Sequence, residues 1–282
     1  MKMRIAYQGE PGANSEAALE QYFGNDAEGL PCTKFVDVFE AVASGAAAFG
    51  AVPVENSLTG SIVDVLDLLR RFSLSVVGET VLHIEHHLLG LPGVDIDEMT
   101  EVYSHPQGLL QCRSFLQTHR ELRPIAAEDT AGAARQVSEW QLRERAAIAN
   151  GNAGARYGLE VVAPAIGDCH DNFTRFVMLS KTAQPPALFN KAAMIFELEH
   201  RSAALHAVLG VFADAGLNLT KIESRPMVDP PFSYWFYTEC SGPFSPEEQL
   251  ALTGKLESRI QQLRVLGWFD ACVANPAARQ KR

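Results

Sequence analysis

Residues 4–23 read RIAYQGEPGANSEAALEQYF. A short apolar stretch gives way to a loop of small and polar residues, and then to apolar positions at helical spacing. That change of period marks a strand feeding a helix. The unit recurs. GAVPV leads through ENSLTG to SIVDVLDLLRR, EVYS through HPQ to GLLQCRSFLQTH, RPIAA through EDT to AGAARQVSEW, and RAAIAN through GNA to GARYGL. Repeated strand–loop–helix units predict an α/β domain with a mostly parallel sheet.

Open parallel sheets take ligands at the carboxyl ends of their strands, where loops meet helix N-termini. The loops here carry Asn14 and Ser15, Asn56 and Ser57, Thr130, and Asn152. Taken singly, each reads as a helix cap worth about 1 kcal/mol. Taken together, they predict a shared anion site, because helix N-termini present unpaired N–H groups and positive potential.

Composition narrows the function classes. Hydrophobic content of 47% and charged content of 21% are those of an ordinary globular chain, and no run is long enough to span a membrane. The net charge of −10 argues against nucleic-acid binding. Five scattered cysteines without CxxC spacing fit reduced thiols, so neither disulfides nor a zinc site is expected. The opening MKMRIAY enters a strand directly, and a cytoplasmic chain is expected.

The Pro-Pro pair in SKTAQPPALFNK (180–191) places a linker. Beyond it, KAAMIFELEH, LNLTKIESRP, SYWFYTEC and VLGWFDACVA read as strands. The segments SAALHAVLGVFADAG and SPEEQLALTGKLESRIQQL read as helices. The order βαββαβ is ferredoxin-like, and with no acid–base cluster this module reads as a regulator or dimerisation unit. The final ARQKR reads as a frayed tail.

Candidate chemistry centres on DNFTRF (171–176). A hydroxyl beside a guanidinium at a strand entrance can donate to a leaving group and clamp a carboxylate. Alternatively, Arg175 pairs with Asp171 and Thr174 is an ordinary strand residue. Glu55 follows a strand and is either a general acid, if burial raises its pKa, or a complement to the helix dipole. Ser104, His105 and Gln107 follow another strand, with His105 a proton donor or, the reading kept here, a hydrogen-bond anchor. His83, His86 and His87 share a helical spacing, but VLHIEHHLL reads as one strand, which turns His83 and His86 to opposite sides. No metal site is assigned, and without GxGxxG or GxxxxGK[ST] no nucleotide cofactor is expected.

Together the motifs YQGEPGANSEAA, VPVENSLTGSI, SHPQGLLQC, EDTAGAA, AAIANGNAGARYGL, NFTRF and KIESRP resemble, in order, the prephenate dehydratase family and its arogenate dehydratase relatives. The resemblance implies a two-lobed catalytic domain of the type II periplasmic-binding-protein kind, with the active site in the cleft. It implies residues 1–182 as the catalytic domain. Lobe 1 would be about 1–79 with a closing segment at 176–182, and lobe 2 about 80–175. A linker at 183–191, an ACT regulatory domain at 192–275 and a disordered tail at 276–282 would follow. A monofunctional enzyme without metal or cofactor is expected.

Carried over by motif, Thr174 is the essential catalytic residue, with Arg175 and Glu55 assisting. By the same resemblance, Ser15, Asn56, Ser57, Ser104, His105, Gln107, Thr130, Asn172 and Phe173 would contact prephenate. L-Phenylalanine, as effector, would meet Ala203, Ala204, Leu205, Asn218, Glu223, Ser224, Arg225 and Pro226. A homodimer or homotetramer through the ACT domain is implied. Two positions depart from the family pattern. Ala203 stands where glycine often lets the backbone approach an amino acid, and Asn14 stands where an aromatic or threonine is common. The other readings are an arogenate dehydratase and a non-catalytic amino-acid sensor.

Overall fold

The stretch around RIAYQ forms β1 (Met3–Gln8), in which Ile5, Ala6 and Tyr7 are all fully buried, as in a strand covered on both faces. In this computed structural model, which describes residues 2–185, 187–227, 229 and 231–272, β1 opens a first sheet. Helix α1 (Asn14–Phe23) leads to β2 (Ala27–Cys32) and α2 (Phe35–Ser44) to β3 (Phe49–Asn56), both strands parallel to β1. The β2–α2 unit is a sixth beside the five read from the pattern. The short β4 (Gly60–Ser61) folds back on the end of β3, and α3 (Val63–Arg71) leads into β5 (Ser75–His83).

The chain then leaves this sheet. After Ile84–His86 it enters a second one through β6 (His87–Gly90), β7 (Glu101–Ser104), α4 (Pro106–Gln111), α5 (Arg113–Thr118) and β8 (Arg123–Ala126). Then follow α6 (Thr130–Trp140), β9 (Arg145–Ala149), α7 (Gly151–Tyr157) and β10 (Glu160–Ala163), with strand order β10-β6-β9-β7-β8. It returns as β11 (Phe173–Ser180), which inserts between β3 and β5 of the first sheet, antiparallel to both.

Three expectations are corrected. The mostly parallel sheet is replaced by two mixed ones; in the first, β11 returns at the end where β5 left and so runs antiparallel to both β5 and β3. VLHIEHHLL is two strands of different sheets, broken where the chain passes between them. Residues 80–83 and 173–175, assigned on sequence to the second lobe, are strands of the first sheet.

A third sheet follows from β12 (Phe189–Glu197), α8 (Ala204–Asp214), β13 (Asn218–Pro226), β14 (Tyr234–Phe244), α9 (Pro246–Glu257) and β15 (Gln262–Phe269). Its order, β13-β14-β12-β15 with antiparallel neighbours, is the βαββαβ arrangement. β12 begins inside the stretch read as linker. The reading of 276–282 as a tail, and the end of the 192–275 module, lie outside the described residues.

Alternation along the strands gives this sheet two apolar faces. Met194, Phe196 and Cys240 pack on Val208, Phe212, Leu252 and Leu256 of its own helices. Ile195, Tyr237, Trp235 and Leu266 share a core with Leu69, Val76, Val177 and Leu179 of the first sheet and α3. Arg264 of β15 ties the two together by donating to the carbonyl oxygens of Leu69, Arg70, Phe72 and Leu74 at 2.5–3.2 Å. No helix among the described residues is long and apolar enough to cross a membrane.

Gly267 of β15 lies against the Val76 backbone of β5, so a Cβ there would collide with the Val76 carbonyl. Gly254, inside α9, has open space where its Cβ would be. Gly267→Ala should therefore destabilise by about 1–3 kcal/mol through overpacking, while Gly254→Ala should stabilise by about 1 kcal/mol through helix propensity. Urea denaturation of the two variants reads the opposite signs.

Candidate active site

The loop after β1, the end of β3, α4, the start of α6 and the entrance of β11 surround a cavity of about 400 Å3 between the first and second sheets. Ser15, Asn56, His105, Gln107, Thr130 and Thr174 line it, as do Ile84, His86 and Gln111. The polar loop residues are mostly not the caps they resemble. The N-cap of α1 is Ala13, that of α6 is Asp129 through Gly132 N–H at 2.6 Å, and that of α7 is Asn150 rather than Asn152. Asn14 instead accepts from Asn150 Nδ2 at 2.7 Å, a contact between the two lobes. His105 does cap its helix, its Nδ1 accepting from Gln107 N–H at 3.1 Å behind Pro106 at the first helical position.

A chain of side-chain amides crosses between the lobes, and its polarity is set at one end by backbone. Asn56 Oδ1 accepts from the Leu58 and Thr59 N–H groups at 3.0 and 3.1 Å. Its amide nitrogen must therefore donate, and it does so to Asn172 Oδ1 at 2.7 Å and Thr174 Oγ1 at 3.0 Å. Asn172 in turn donates to Gln111 Oε1 at 3.2 Å, and the same oxygen lies 2.8 Å from His86 Nε2. An amide oxygen only accepts, so His86 carries a proton on Nε2. Burial lowers the His86 pKa, the bond to Gln111 opposes this and His87 adds to it, so the ring is neutral at neutral pH.

Thr174 is buried, and its oxygen is occupied as an acceptor. Its O–H is left to donate, and no described residue accepts it. The only basic side chains lining the cavity, among the described residues, are imidazoles; no lysine or arginine is among them. The N-terminal ends of α1 and α6 bring N–H groups to the cavity, and Glu128 and Asp129 are among its lining residues.

Arg175 and Glu55 are not in this cavity. Neighbours on a strand point to opposite faces, and the register pairs Thr174 with Asn56 and Arg175 with Glu55. The second pair turns toward the third sheet. Arg175 donates to Glu55 at 2.8 Å, Glu239 at 2.9 Å and Glu79 at 3.0 Å. Lys191 pairs with Glu79 and Glu239 at 2.7 and 2.9 Å, Lys221 with Glu55 at 2.7 Å, and the Tyr237 hydroxyl donates to Glu239 at 2.5 Å.

Three carboxylates thus face three cations. Burial favours the neutral form of Glu55, but Lys221 and Arg175 outweigh it and hold the carboxyl below its usual range. An ionised, paired carboxylate behind the sheet is no general acid, and Arg175 pairs with this cluster rather than with Asp171.

The sequence profile of the prephenate dehydratase family matches residues 5–184. The chain belongs to the prephenate dehydratase family. Its sequence is 41% identical over 280 residues to arogenate dehydratase/prephenate dehydratase 2 of Arabidopsis thaliana, a chloroplastic protein, covering 95% of this chain and 73% of that one. The fold is similar to the Arthrobacter aurescens prephenate dehydratase solved with L-Phe, at 29% identity and TM-score 0.87 over 96% of this chain and 90% of that one. It is also similar to GqqA, described as a novel type of quorum quenching acylase, at 34% identity and TM-score 0.85 over 98% of this chain and all of that one.

The remaining expected residues of the dehydratase site divide by position. Ser57 accepts from Phe173 N–H at 2.9 Å and donates to Asp171 O at 3.1 Å, tying the two crossing segments. Ser104 is fully buried, donates to Ile148 O at 2.7 Å and does not line the cavity. Phe173 stacks obliquely near His83 at 5.0 Å, also outside the cavity. Asn172 lies behind the cavity wall as a link in the amide chain. Ile84, His86 and Gln111 are lining residues that sequence reasoning left out, although the spacing of Gln111 from Gln107 puts both on one helix face.

On the third sheet, Glu223 accepts from Ser61 Oγ at 2.7 Å and Arg225 pairs with Asp67 at 2.8 Å, so both face the first lobe. Ser224, Asn218 and Pro226 are exposed, Ala204 is buried, and Leu205 packs into the third sheet's own core. Ala203 holds a left-handed backbone, φ 63°, which an alanine adopts at a cost of about 1 kcal/mol.

Glu239 is buried against the charge, but Arg175, Lys191 and the Tyr237 hydroxyl outweigh burial and hold its carboxyl below the usual range. The folded state then binds fewer protons than the unfolded one. The stabilisation is complete above the ordinary carboxylate pKa and disappears as pH falls through the lowered one. Glu239→Gln should destabilise by about 3 kcal/mol at pH 7, and its denaturation curve should converge on the wild-type curve below about pH 4.

Proposed function

We propose that this chain converts prephenate to phenylpyruvate, water and carbon dioxide. The observation that carries the reading is the Thr174 hydroxyl, polarised by Asn56 and left to donate into the cleft. The reaction breaks the bond from the ring to its carboxylate and sends that electron pair into the ring. The C–OH bond opposite then breaks, and the hydroxyl leaves as water with one proton from solvent. Thr174 stabilises the departing oxygen by hydrogen bond and passes it the proton. Glu55, ionised and behind the sheet, is not the source.

A cleft whose anion contacts are N–H groups suits a substrate that must lose one of its two carboxylates. A cation held against the departing group would stabilise the ground state as much as the transition state. Gln111, with the starts of α1 and α6, holds the pyruvyl end. The similarity to proteins named for both arogenate and prephenate supports arogenate as a second substrate. An acylase activity, as named for that relative, would require a base on a nucleophilic hydroxyl. The hydrogen-bond partner of the Thr174 hydroxyl is an amide.

In the same proposal, residues 1–182 form a two-lobed catalytic domain and the βαββαβ module from about 192 to 275 is an ACT domain that binds L-phenylalanine. The relative solved with L-Phe supports this. Asn218, Glu223, Ser224, Arg225 and Pro226, with the turn at Ala203, Ala204 and Leu205, form the effector region of a cytoplasmic homodimer or homotetramer.

Thr174→Ala should lower kcat by about 10²–10³-fold with the denaturation midpoint little changed, and Thr174→Ser should recover most of the loss. Prephenate and arogenate are assayed side by side, with and without phenylalanine. Turnover of neither by the wild type would overturn the reading. Ala203→Gly, which relaxes the left-handed turn, should raise stability by about 1 kcal/mol and strengthen inhibition by phenylalanine.

A further inference from the structure

His86 lies in the crossover between β5 and β6 and is 6% exposed. Its backbone carbonyl accepts from Ile166 N–H at 2.8 Å, so the return crossover pins the segment. The ring lines both the cleft and a smaller neighbouring cavity of about 160 Å3. Nε2 is committed to Gln111 Oε1. Nδ1 is buried with no hydrogen-bond partner among the described residues.

We propose that His86 is a positioning residue of the dehydratase reaction, fixing the Gln111 amide so that both its N–H bonds face the cleft as the clamp for a substrate carboxylate. Gln111 Oε1 takes two donors, one from His86 and one from Asn172. The Gln111 nitrogen meets no acceptor among the described residues, and the residue lines both the cleft and the smaller cavity. With both donors in place, rotating the amide by half a turn would set its NH2 group against two other N–H groups. It would also aim its oxygen at an anionic substrate. With Asn172 alone, that rotation forfeits a single bond. The polarity of the whole chain starts at the Leu58 and Thr59 backbone, and His86 closes it at the far end.

The proposal rests on the dehydratase reading, so its test has one arm that needs no turnover. In ¹⁵N spectra of the histidine rings at neutral pH, His86 should show the neutral form protonated on Nε2 and bare at Nδ1. Gln111→Leu should abolish that preference. A ring protonated on Nδ1 in the wild type, or a preference that survives Gln111→Leu, overturns the proposal even if no substrate is turned over.

In the kinetic arm, His86→Leu should raise KM for the turned-over substrate about tenfold, the worth of one neutral hydrogen bond, with kcat within about twofold. His86→Gln, long enough to donate to Gln111, should restore most of that loss. Gln111→Ala with His86→Leu should be no worse than Gln111→Ala alone. Unchanged KM in His86→Leu, no rescue by His86→Gln, or losses that multiply in the double variant overturn the proposal. If His86→Leu does not fold, His86→Asn, too short to reach Gln111, takes its place in the same cycle.

Discussion

The pairing of β11 against β3 is the constraint on which the rest of the molecule depends. It sets Thr174 opposite Asn56 and Arg175 opposite Glu55. Strand parity then sorts one pair to the cleft and the other to the reverse face. A shift of β11 by one residue would turn Thr174 toward the third sheet and Arg175 into the cavity, while Asn56 and Glu55 of β3 kept their faces. Parity is all-or-none in this way, so a cavity-lining residue and a member of the buried charge cluster sit side by side in the chain.

Behind the strand, the charge cluster resolves a problem that burial creates. Glu239, Glu79 and Lys191 are almost wholly removed from water, which would neutralise isolated groups. Equal numbers of opposite charges, with Tyr237 satisfying a further lone pair, keep Glu239 and Arg175 ionised. Such a cluster is weak evidence for stability but strong on geometry, since one docking of the third sheet satisfies every member. It adds direction to the apolar contacts around Val76, Tyr237 and Leu266, which by themselves define only proximity. Through Glu55 and Arg175, the neighbours of Asn56 and Thr174, the ion pairs to β13 and β14 end one residue from the cleft.

In front of the strand, the cavity wall is organised by neutral donors. Backbone N–H groups set Asn56, Asn56 sets Asn172 and Thr174, and Asn172 with His86 sets Gln111. Each orientation follows from the one before it, because amide oxygens only accept and amide nitrogens only donate. Among the described residues, the cleft therefore presents donors and is lined by no lysine or arginine. That suits a reaction in which one carboxylate must be held and another released.

Much of this was legible in sequence. The change from apolar strand to polar loop to helical spacing identified the α/β units, and the order βαββαβ beyond the Pro-Pro pair identified the third sheet, because period and turn chemistry are local properties. The motif NFTRF marked Thr174, and the spacing of Gln107 and Gln111 held a signal for Gln111 that went unused. The roles of Arg175 and Glu55 were not legible: each is defined by which side of a strand it occupies, and that depends on a pairing 120 residues away in the chain. His86 was read inside one continuous strand, since nothing local tells a strand that continues from one that changes sheet. The sequence by itself determined most of the elements and the family to which they belong. Only the tertiary structure decided which face each polar residue serves, because register between distant strands is settled by the packing of both faces at once.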